Sequence, residues 1–245
     1  ALDAASTGQE NTAVGHQALT SDTKGQRNVA VGHGALTTQN FTSATNSNNT
    51  AVGYNAGTSL TTAQNNTLIG ALSGDTITTG EQNTAVGSCT LCSNVTGNNN
   101  TAIGRASLLA NTTGASNTAL GVGGLESNTT ASNNTAVGKN SLSSTTTGCR
   151  NVAMGASAGT SNTTGDCNVA IGFGAYNVAT TADHNTMVGA GAGNSITTGA
   201  SNTAVGRCSL VENTTGEGNT AVGIQALEDT TTCAYNVAVG ANAGL

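Results

Sequence analysis

The sequence predicts an all-β fold, a parallel β-solenoid (β-helix or β-roll) of about fourteen coils. The first observation behind this prediction is a five-residue pattern, Asn-[Thr/Val]-[Ala/Leu/Met]-[Val/Ile/Leu/Met]-Gly, which occurs fourteen times. The second is its spacing, since every interval is seventeen residues except one of twenty-one. A fixed short period indicates units that bury their apolar face only by stacking on their neighbours.

Each coil is numbered from the asparagine of the pattern, so that position 1 is Asn and position 5 is Gly. The asparagines are Asn11, Asn28, Asn49, Asn66, Asn83, Asn100, Asn117, Asn134, Asn151, Asn168, Asn185, Asn202, Asn219 and Asn236. Only glycine adopts a positive φ angle without strain, so the glycine at position 5 predicts a turn in every coil. Two short strands per coil are expected, around positions 1 to 4 and 8 to 10, with a second turn at positions 11 to 15.

The apolar columns predict a thin interior and a second buried face. Position 4 is always aliphatic or Met, so we expect Val14 and its equivalents to fill the coil. Neighbouring strand residues point to opposite faces, which would leave the position 3 alanines outside. Because a strand that is apolar on both faces is usually buried on both, these alanines are candidate oligomer contacts, although alanine on a strand is also tolerated in water. They are Ala13, Ala30, Ala51, Ala85, Ala102, Ala119 and Ala136.

Residues 1–245 are expected to form a single repeat solenoid that is uncapped at both ends, with a four-residue insertion in the second coil near 37–48. Leu2 falls at position 9 and Leu245 at position 10, so the sequence starts and stops within a coil. Exposed ladder edges favour association. Either the sequence is a piece of a longer protein, or copies stack end to end, in which case Leu2 and Leu245 would be buried contacts.

Composition and charge argue against several function classes. Only 7 % of residues are charged, the net charge is −6, and the six basic residues form no stripe for a phosphate backbone, so nucleic acid is not an expected partner. No apolar run approaches the roughly 18 residues of a membrane span, so membrane insertion is not expected. His16 and His33 share position 6, but we find no recurring carboxylate pair and no nucleophile with its base. The sequence therefore predicts no enzyme, and no catalytic, cofactor or metal residues.

Six cysteines give two candidate disulfides. Cys149 at position 16 and Cys167 at position 17 of the following coil are expected to be neighbours, and Cys89 and Cys92 form a Cys-x-x-Cys pair within one coil. A zinc site usually needs two such pairs or added histidine, so a disulfide or free thiols are favoured over a metal.

Asn-x-Ser/Thr sequons occur throughout this Asn- and Thr-rich chain. Five of them share position 12, in the predicted outer turn, where an attached glycan would meet solvent. These glycosylation candidates are Asn94, Asn111, Asn128, Asn162 and Asn213. Sequons at position 17 adjoin the strand and are interpreted as poorer candidates.

The repeated Asn-Thr-Ala-Val-Gly-x-x-Ala-Leu unit resembles the head repeats of trimeric autotransporter adhesins, and the similar arrays in fibre and tail proteins of phages and large algal viruses. The resemblance covers the whole chain, although the period is longer than in the best-known adhesin heads. It implies a left-handed β-roll that assembles as a homotrimer on a cell or virion surface, and surface glycans or a host receptor as partners.

Two function classes follow. The first is a structural or adhesive extracellular fibre segment that self-assembles into an oligomer or an end-to-end filament. The alternative is an ice-binding (antifreeze) solenoid that uses its threonine columns. Against the alternative, the threonines at positions 13 and 14 are adjacent, so on a strand they would face opposite ways.

Overall fold

The computed structural model describes residues 7–244, which are all-β and contain no helix. One strand of three residues occurs in each repeat, at positions 2 to 4, and two shorter strands lie beside the insertion. In chain order the strands are β1 (Thr12–Val14), β2 (Gly25–Gln26), β3 (Val29–Val31), β4 (Thr45–Asn46), β5 (Thr50–Val52), β6 (Thr67–Ile69), β7 (Thr84–Val86), β8 (Thr101–Ile103), β9 (Thr118–Leu120), β10 (Thr135–Val137), β11 (Val152–Met154), β12 (Val169–Ile171), β13 (Thr186–Val188), β14 (Thr203–Val205), β15 (Thr220–Val222) and β16 (Val237–Val239).

The chain forms two compact units, an amino-terminal unit of residues 1–117 and a carboxyl-terminal unit of residues 118–245. In the amino-terminal unit the main sheet has the order β1-β3-β5-β6-β7-β8, and β2 pairs with β4 in a small second sheet. In the carboxyl-terminal unit β9 to β16 follow one another in chain order. All these pairs are parallel and in register, as in Ala85 opposite Ala102 and Ala136 opposite Ala153. The predicted parallel β-solenoid is confirmed.

The prediction of two strands per coil is wrong for positions 8 to 10, which form a turn. Positions 7 and 9 both have left-handed backbone in every coil, for example φ 57° at Gln17 and 50° at Leu19. Extended backbone cannot pass through two such residues in a row of three. Each repeat therefore contributes one strand to the main sheet, with the rest of the coil built from turns.

The turn predicted at position 5 is confirmed in all fourteen repeats, where the glycine φ lies between 124° and 141°. The space around this glycine restricts position 5 as strongly as its backbone angle does. A Cβ on Gly121 would lie 2.6 Å from the carbonyl oxygen of Gly138, the equivalent glycine of the next coil. Glycine is needed for the backbone angle and for the close stacking of successive coils.

The strand faces the opposite way to the sequence prediction, with position 3 inside the coil and position 4 outside. Ala30, Ala51, Ala85, Ala102, Ala119 and Ala136 are fully buried, and Ala13 in the first described coil is half-buried. These alanines pack within their own solenoid, so their assignment as oligomer contacts is wrong. Positions 1 and 3 share a face, and an interior that already holds the asparagine amides has room for little more than a methyl group.

An asparagine ladder runs along the interior of each unit at position 1. In the amino-terminal unit each of the six steps from Asn11 to Asn117 has a backbone N–H donating to the preceding Oδ1, at 2.9 to 3.0 Å. In the carboxyl-terminal unit the six steps from Asn134 to Asn236 do the same, at 2.8 to 3.0 Å. The amide Nδ2 closes the coil by donating to the carbonyl at position 15, as from Asn151 to Gly165 at 2.7 Å. Buried polar groups are thereby satisfied in every step.

The apolar core varies by compensation among positions 3, 9 and 12. The common set is Ala, Leu and a polar residue, as in Ala204, Leu210 and Asn213. Where position 3 is large, position 9 is glycine and position 12 aliphatic, as in Met187, Gly193 and Ile196. A Cβ on Gly193 would lie 2.4 Å from the sulfur of Met187, so the larger residue occupies the space that leucine fills elsewhere.

The insertion of the second coil is anchored by a buried polar network. Asp22 accepts hydrogen bonds from the backbone N–H of Gly25 at 2.9 Å and from Gln39 Nε2 at 2.8 Å. Gln39 Oε1 in turn accepts from Asn49 Nδ2 at 2.9 Å, which links the network to the asparagine ladder. Phe41, within the insertion, is also buried. The added residues are therefore fixed to the core at their base.

Candidate interaction surface

The outward sheet face is formed by the side chains at positions 2 and 4 of the main-sheet strands. Position 2 is Thr in ten repeats and Val in four, and position 4 is Val, Ile, Leu or Met in all fourteen. No charged residue occurs at either position. None of these residues is buried in the single chain. The face is consequently uncharged, regular and unusually apolar for a protein surface.

The position 4 side chains are the main apolar component of this face. In the carboxyl-terminal unit Leu120 is 45 % exposed, Met154 44 % and Val205 37 %. In the amino-terminal unit Ile69 is 39 % exposed and Ile103 37 %. A single exposed aliphatic side chain needs no explanation, but a column repeated in every coil indicates an interaction surface.

Charged residues of opposite sign flank the outward sheet face on its two sides. Position 6, just after the strand, is the basic edge and carries Arg105, Lys139 and Arg207, half of the six basic residues, with no acidic residue in any repeat. Position 16, just before the strand, is the acidic edge and has no basic residue in any repeat. Its acidic residues are Glu81, Asp166, Asp183 and Glu217. Arg27 and Arg150, at position 17, also lie on this side. In the carboxyl-terminal unit it therefore carries Asp166, Asp183, Glu217 and Arg150, against Lys139 and Arg207 on the other side, and the face keeps an electrostatic direction along its strands.

The carboxylates of the acidic edge are held in place by neighbouring coils. Asp166 Oδ1 accepts a hydrogen bond from the backbone N–H of Cys149 at 2.6 Å, and Asp183 Oδ1 accepts from that of Asp166 at 2.7 Å. Arg150 Nη2 lies 3.7 Å from Asp166 Oδ2. Tyr235 donates its hydroxyl to Glu217 Oε1 at 2.7 Å, and this bond to the carboxylate raises the pKa of Tyr235. The acidic edge is thus an ordered surface feature.

On the amino-terminal unit, position 6 carries a stack of three aromatic rings. The ring centroids of His16 and His33 are 5.1 Å apart, and those of His33 and Tyr54 are 5.4 Å apart. Within residues 7–244, no group of three His, Cys, Asp or Glu side chains is arranged to hold a metal ion.

All six cysteines are free thiols in this structure, so neither candidate disulfide is formed. Cys149 and Cys167 are ladder neighbours, as expected, with the backbone N–H of Cys167 donating to the carbonyl of Cys149 at 3.1 Å. Cys92 donates its thiol to the carbonyl of Leu72 at 2.9 Å. Burial raises the pKa of Cys92, and the nearby Asp75 carboxylate adds to this effect. A thiol of raised pKa is a weak nucleophile at neutral pH.

The five glycosylation candidates at position 12 are fully buried, so the expectation that they meet solvent is wrong. Their side chains point into the coil because each amide Nδ2 donates to the carbonyl three residues later, at 2.9 to 3.1 Å. The affected residues are Asn94, Asn111, Asn128, Asn162 and Asn213. By contrast, the sequon asparagines at position 17, which include Asn65, Asn99 and Asn133, are exposed. Leu2 and Leu245, the remaining interface candidates, lie outside the described residues.

Comparisons with known proteins add nothing to this picture. No family model matches the chain, and a search of curated proteins finds no match either. Residues 7–244 include no helix that is both long enough and apolar enough to span a membrane.

Proposed function

We propose that this chain is a structural or adhesive segment of an extracellular fibre, and that copies of it associate through the outward sheet face. The supporting observation is the apolar residue at position 4 of every repeat, which is exposed or half-buried in the single chain, on a face without charge. A parallel strand that is apolar on both faces is usually buried on both. The inner face is buried by the coil, so a partner is needed for the outer one.

Further support comes from the low chemical variety of the surface. The accessible positions are dominated by Thr, Ser, Asn and Gly, with 7 % charged residues in the chain. Such a repeated surface suits display, spacing and many weak contacts, where the affinity comes from multivalency. We place the fibre on a cell or virion surface, where surface glycans or a host receptor would be its targets and a homotrimer or an end-to-end filament its assembled form.

The experiment is to measure the mass of the native particle by analytical ultracentrifugation for the wild type and two matched variants. Leu120→Glu places a carboxylate on the outward sheet face, whereas Thr130→Glu places it at the exposed position 14 of the same coil. Burying an unpaired charge in an interface is costly. We expect an oligomeric wild type, an oligomeric Thr130→Glu and a dissociated Leu120→Glu. A wild type that sediments as a monomer at all concentrations would disprove self-association.

Ice binding is a second candidate, and the position 2 column favours it. Ten outward threonines stand two residues from an outward aliphatic residue, so that hydroxyl and methyl groups form parallel rows along an uncharged sheet. The threonines at position 13 are less suitable, because hydroxyls such as Thr146 Oγ1 donate to the next coil, at 3.2 Å from the carbonyl of Thr163. Thermal hysteresis lost in Thr135→Glu but kept in Thr147→Glu, at position 14 of the same coil, would support this candidate over the fibre.

A further inference from the structure

We propose that the outward sheet face of the carboxyl-terminal unit is covered by a second copy of this chain, with the two stacking directions parallel and the basic edge of one copy against the acidic edge of the other. This inference rests on the proposed self-association and adds its orientation and its charge pairs. It is carried by the placement of charge on the two sides of an uncharged face.

The pattern of charge is that of an interface with an apolar centre and a polar rim. In the carboxyl-terminal unit positions 2 and 4 carry no charge, and the long basic side chains of Lys139 and Arg207 are exposed on one side. The carboxylates of Asp166, Asp183 and Glu217 lie on the other side. A nucleic acid partner would need a basic surface, whereas a surface with both signs on opposite edges is complementary to itself.

Symmetry then selects the orientation. If the second copy is turned about the stacking direction, its strands run the opposite way across the face and its acidic edge meets the basic edge of the first copy. If it is turned about the strand direction, which makes the stacks antiparallel, basic meets basic and acidic meets acidic. Like charges placed together across an interface oppose association. The edges therefore favour parallel stacks.

For Arg207 the positions along the stack are also compatible, whereas Lys139 is level with Ser132 and has no carboxylate at position 16 of the adjacent coils. Arg207 is level with Ala200 at position 16, and Asp183 and Glu217 belong to the coils on either side of Ala200. The backbone ladder confirms this order, because the N–H of Ser201 donates to the carbonyl oxygen of Asp183 and the N–H of Gly218 donates to that of Ala200, both at 3.0 Å. Neighbouring coils are about 4.8 Å apart, a step that an arginine side chain can span. Asp183 and Glu217, each one coil from the level of Arg207, are the carboxylates that Arg207 of another copy would meet, whereas Asp166 is two coils away and has Arg150 beside it. Tyr235 donates to only one oxygen of Glu217, Oε1.

The first test is the dissociation constant of the full chain, measured by sedimentation at fixed ionic strength. We expect Arg207→Glu to raise it by roughly tenfold, since a rim charge pair becomes a repulsive one. The double variant Arg207→Glu/Glu217→Arg should return it to within roughly threefold of the wild type. Thr215→Glu, at position 14 of the same coil, is the matched control and should leave it unchanged. A dissociation constant that Arg207→Glu leaves unchanged would contradict the charge pairing.

The second test reads the orientation directly, in a background where the six native cysteines are replaced by serine. With parallel stacks the strands of the two copies run in opposite directions, so Val205 of one copy lies opposite Thr203 of the other. Mild oxidation of a mixture of Val205→Cys and Thr203→Cys chains should therefore produce a disulfide-linked dimer. Thr215→Cys, which lies on another face, should not. Antiparallel stacks would set Val205 against a different coil, and the dimer would be absent.

These outcomes separate the two proposals. If the wild type is a monomer, both are wrong. If Leu120→Glu dissociates the protein while Arg207→Glu changes nothing and the mixture of Val205→Cys and Thr203→Cys chains forms no dimer, then self-association through the outward sheet face stands and the parallel, edge-to-edge orientation is wrong.

Discussion

Two kinds of positive-φ residue shape each coil, and only one of them requires glycine. At position 5 the φ angles, 124° to 141°, lie beyond the left-handed helical region, and the next coil leaves no room for a Cβ. At positions 7, 9 and 17 the angles are near those of the left-handed helix, and Gln, Leu, Cys and Arg occupy them, as in Gln225, Leu227, Cys167 and Arg150. Such residues cost of order 1 kcal/mol or more each, so the stacked ladder must hold them in place.

This difference predicts unequal effects of two glycine substitutions in the carboxyl-terminal unit. Gly121→Ala should lower the free energy of unfolding by about 1 to 3 kcal/mol from backbone strain alone, with more from the contact to Gly138. Gly174→Asn, at an open position 7 with φ 61° and nothing within 4 Å of its Cβ, should change it by less than about 1 kcal/mol. Chemical denaturation at one protein concentration measures both. Equal losses in the two variants would contradict the argument.

The asparagine ladder predicts a second residue-scale effect. Asn151→Ala removes the Oδ1 that accepts the backbone N–H of Asn168 at 2.9 Å and leaves that buried donor unpaired. A buried unsatisfied group costs about 1 to 3 kcal/mol, and the lost volume adds to this. Thr164→Ala, at the exposed position 14 of the same coil, is the control and should be nearly neutral. Thermal unfolding followed by circular dichroism would show a lower midpoint for Asn151→Ala only.

At the scale of the element, each strand is three residues long and has two different apolar faces. Alternation correctly places positions 3 and 4 on opposite faces, but the prediction that position 4 is the inner one is wrong, since Val at position 4 and Ala at position 3 fit either assignment. The deciding signal is that residues two apart on a strand share a face. The invariant asparagine at position 1 is therefore on the side of position 3, and its amides form the buried ladder. A narrow interior accepts Ala119 and its equivalents and excludes the larger side chains of position 4.

The direction of side chains in the turns is harder to predict, because these residue types are also typical of exposed loops. Ser-Asn-Thr-Thr-Gly is typical of an exposed turn, yet the asparagine at position 12 points inward to bond a carbonyl, as Asn162 does with Gly165 at 3.0 Å. Likewise, leucine at position 9 suggested a strand, whereas φ 52° at Leu210 makes it part of a turn. The repeat period established the solenoid, but local side-chain bonds decided the direction of individual residues.

Core compensation predicts that three substitutions together are tolerated better than their parts. Gly193→Leu alone should overpack the coil against Met187 and cost about 1 to 3 kcal/mol. The triple variant Met187→Ala/Gly193→Leu/Ile196→Asn recreates the set Ala204, Leu210 and Asn213 of the neighbouring coil. We expect it to be closer to wild-type stability than Gly193→Leu alone, as measured by urea denaturation. If the triple variant loses as much as the sum of its single variants, the compensation among positions 3, 9 and 12 is wrong.

At the scale of the whole molecule, each coil contacts only its neighbours along the chain, so the stability of each unit is close to a sum over coils and the contacts between them. What fixes the register between coils is the column of asparagines, with the glycine turn and the inner alanine placed relative to it. The twenty-one-residue coil shows that extra residues are accepted when the chain returns to the ladder at the next asparagine. Asn49 still donates its backbone N–H to Asn28 Oδ1 at 3.0 Å. The length of a coil can therefore vary, provided that its successor still places an asparagine in the ladder.

This leads to a test by deletion in the carboxyl-terminal unit. Removing residues 202–218, one repeat, joins Ser201 to Asn219, which can take the place of Asn202 and donate its N–H to Asn185 Oδ1. We expect cooperative unfolding with only the contribution of one coil lost, and a smaller denaturant m-value because less surface is exposed. Removing residues 202–219 takes one residue more and brings Thr220 to position 1, where it has no amide for the ladder. That variant should be less stable than the first by at least about 1 to 3 kcal/mol, because buried backbone groups on both sides lose their partners. Equal stability of the two deletions would mean that the asparagine does not set the register.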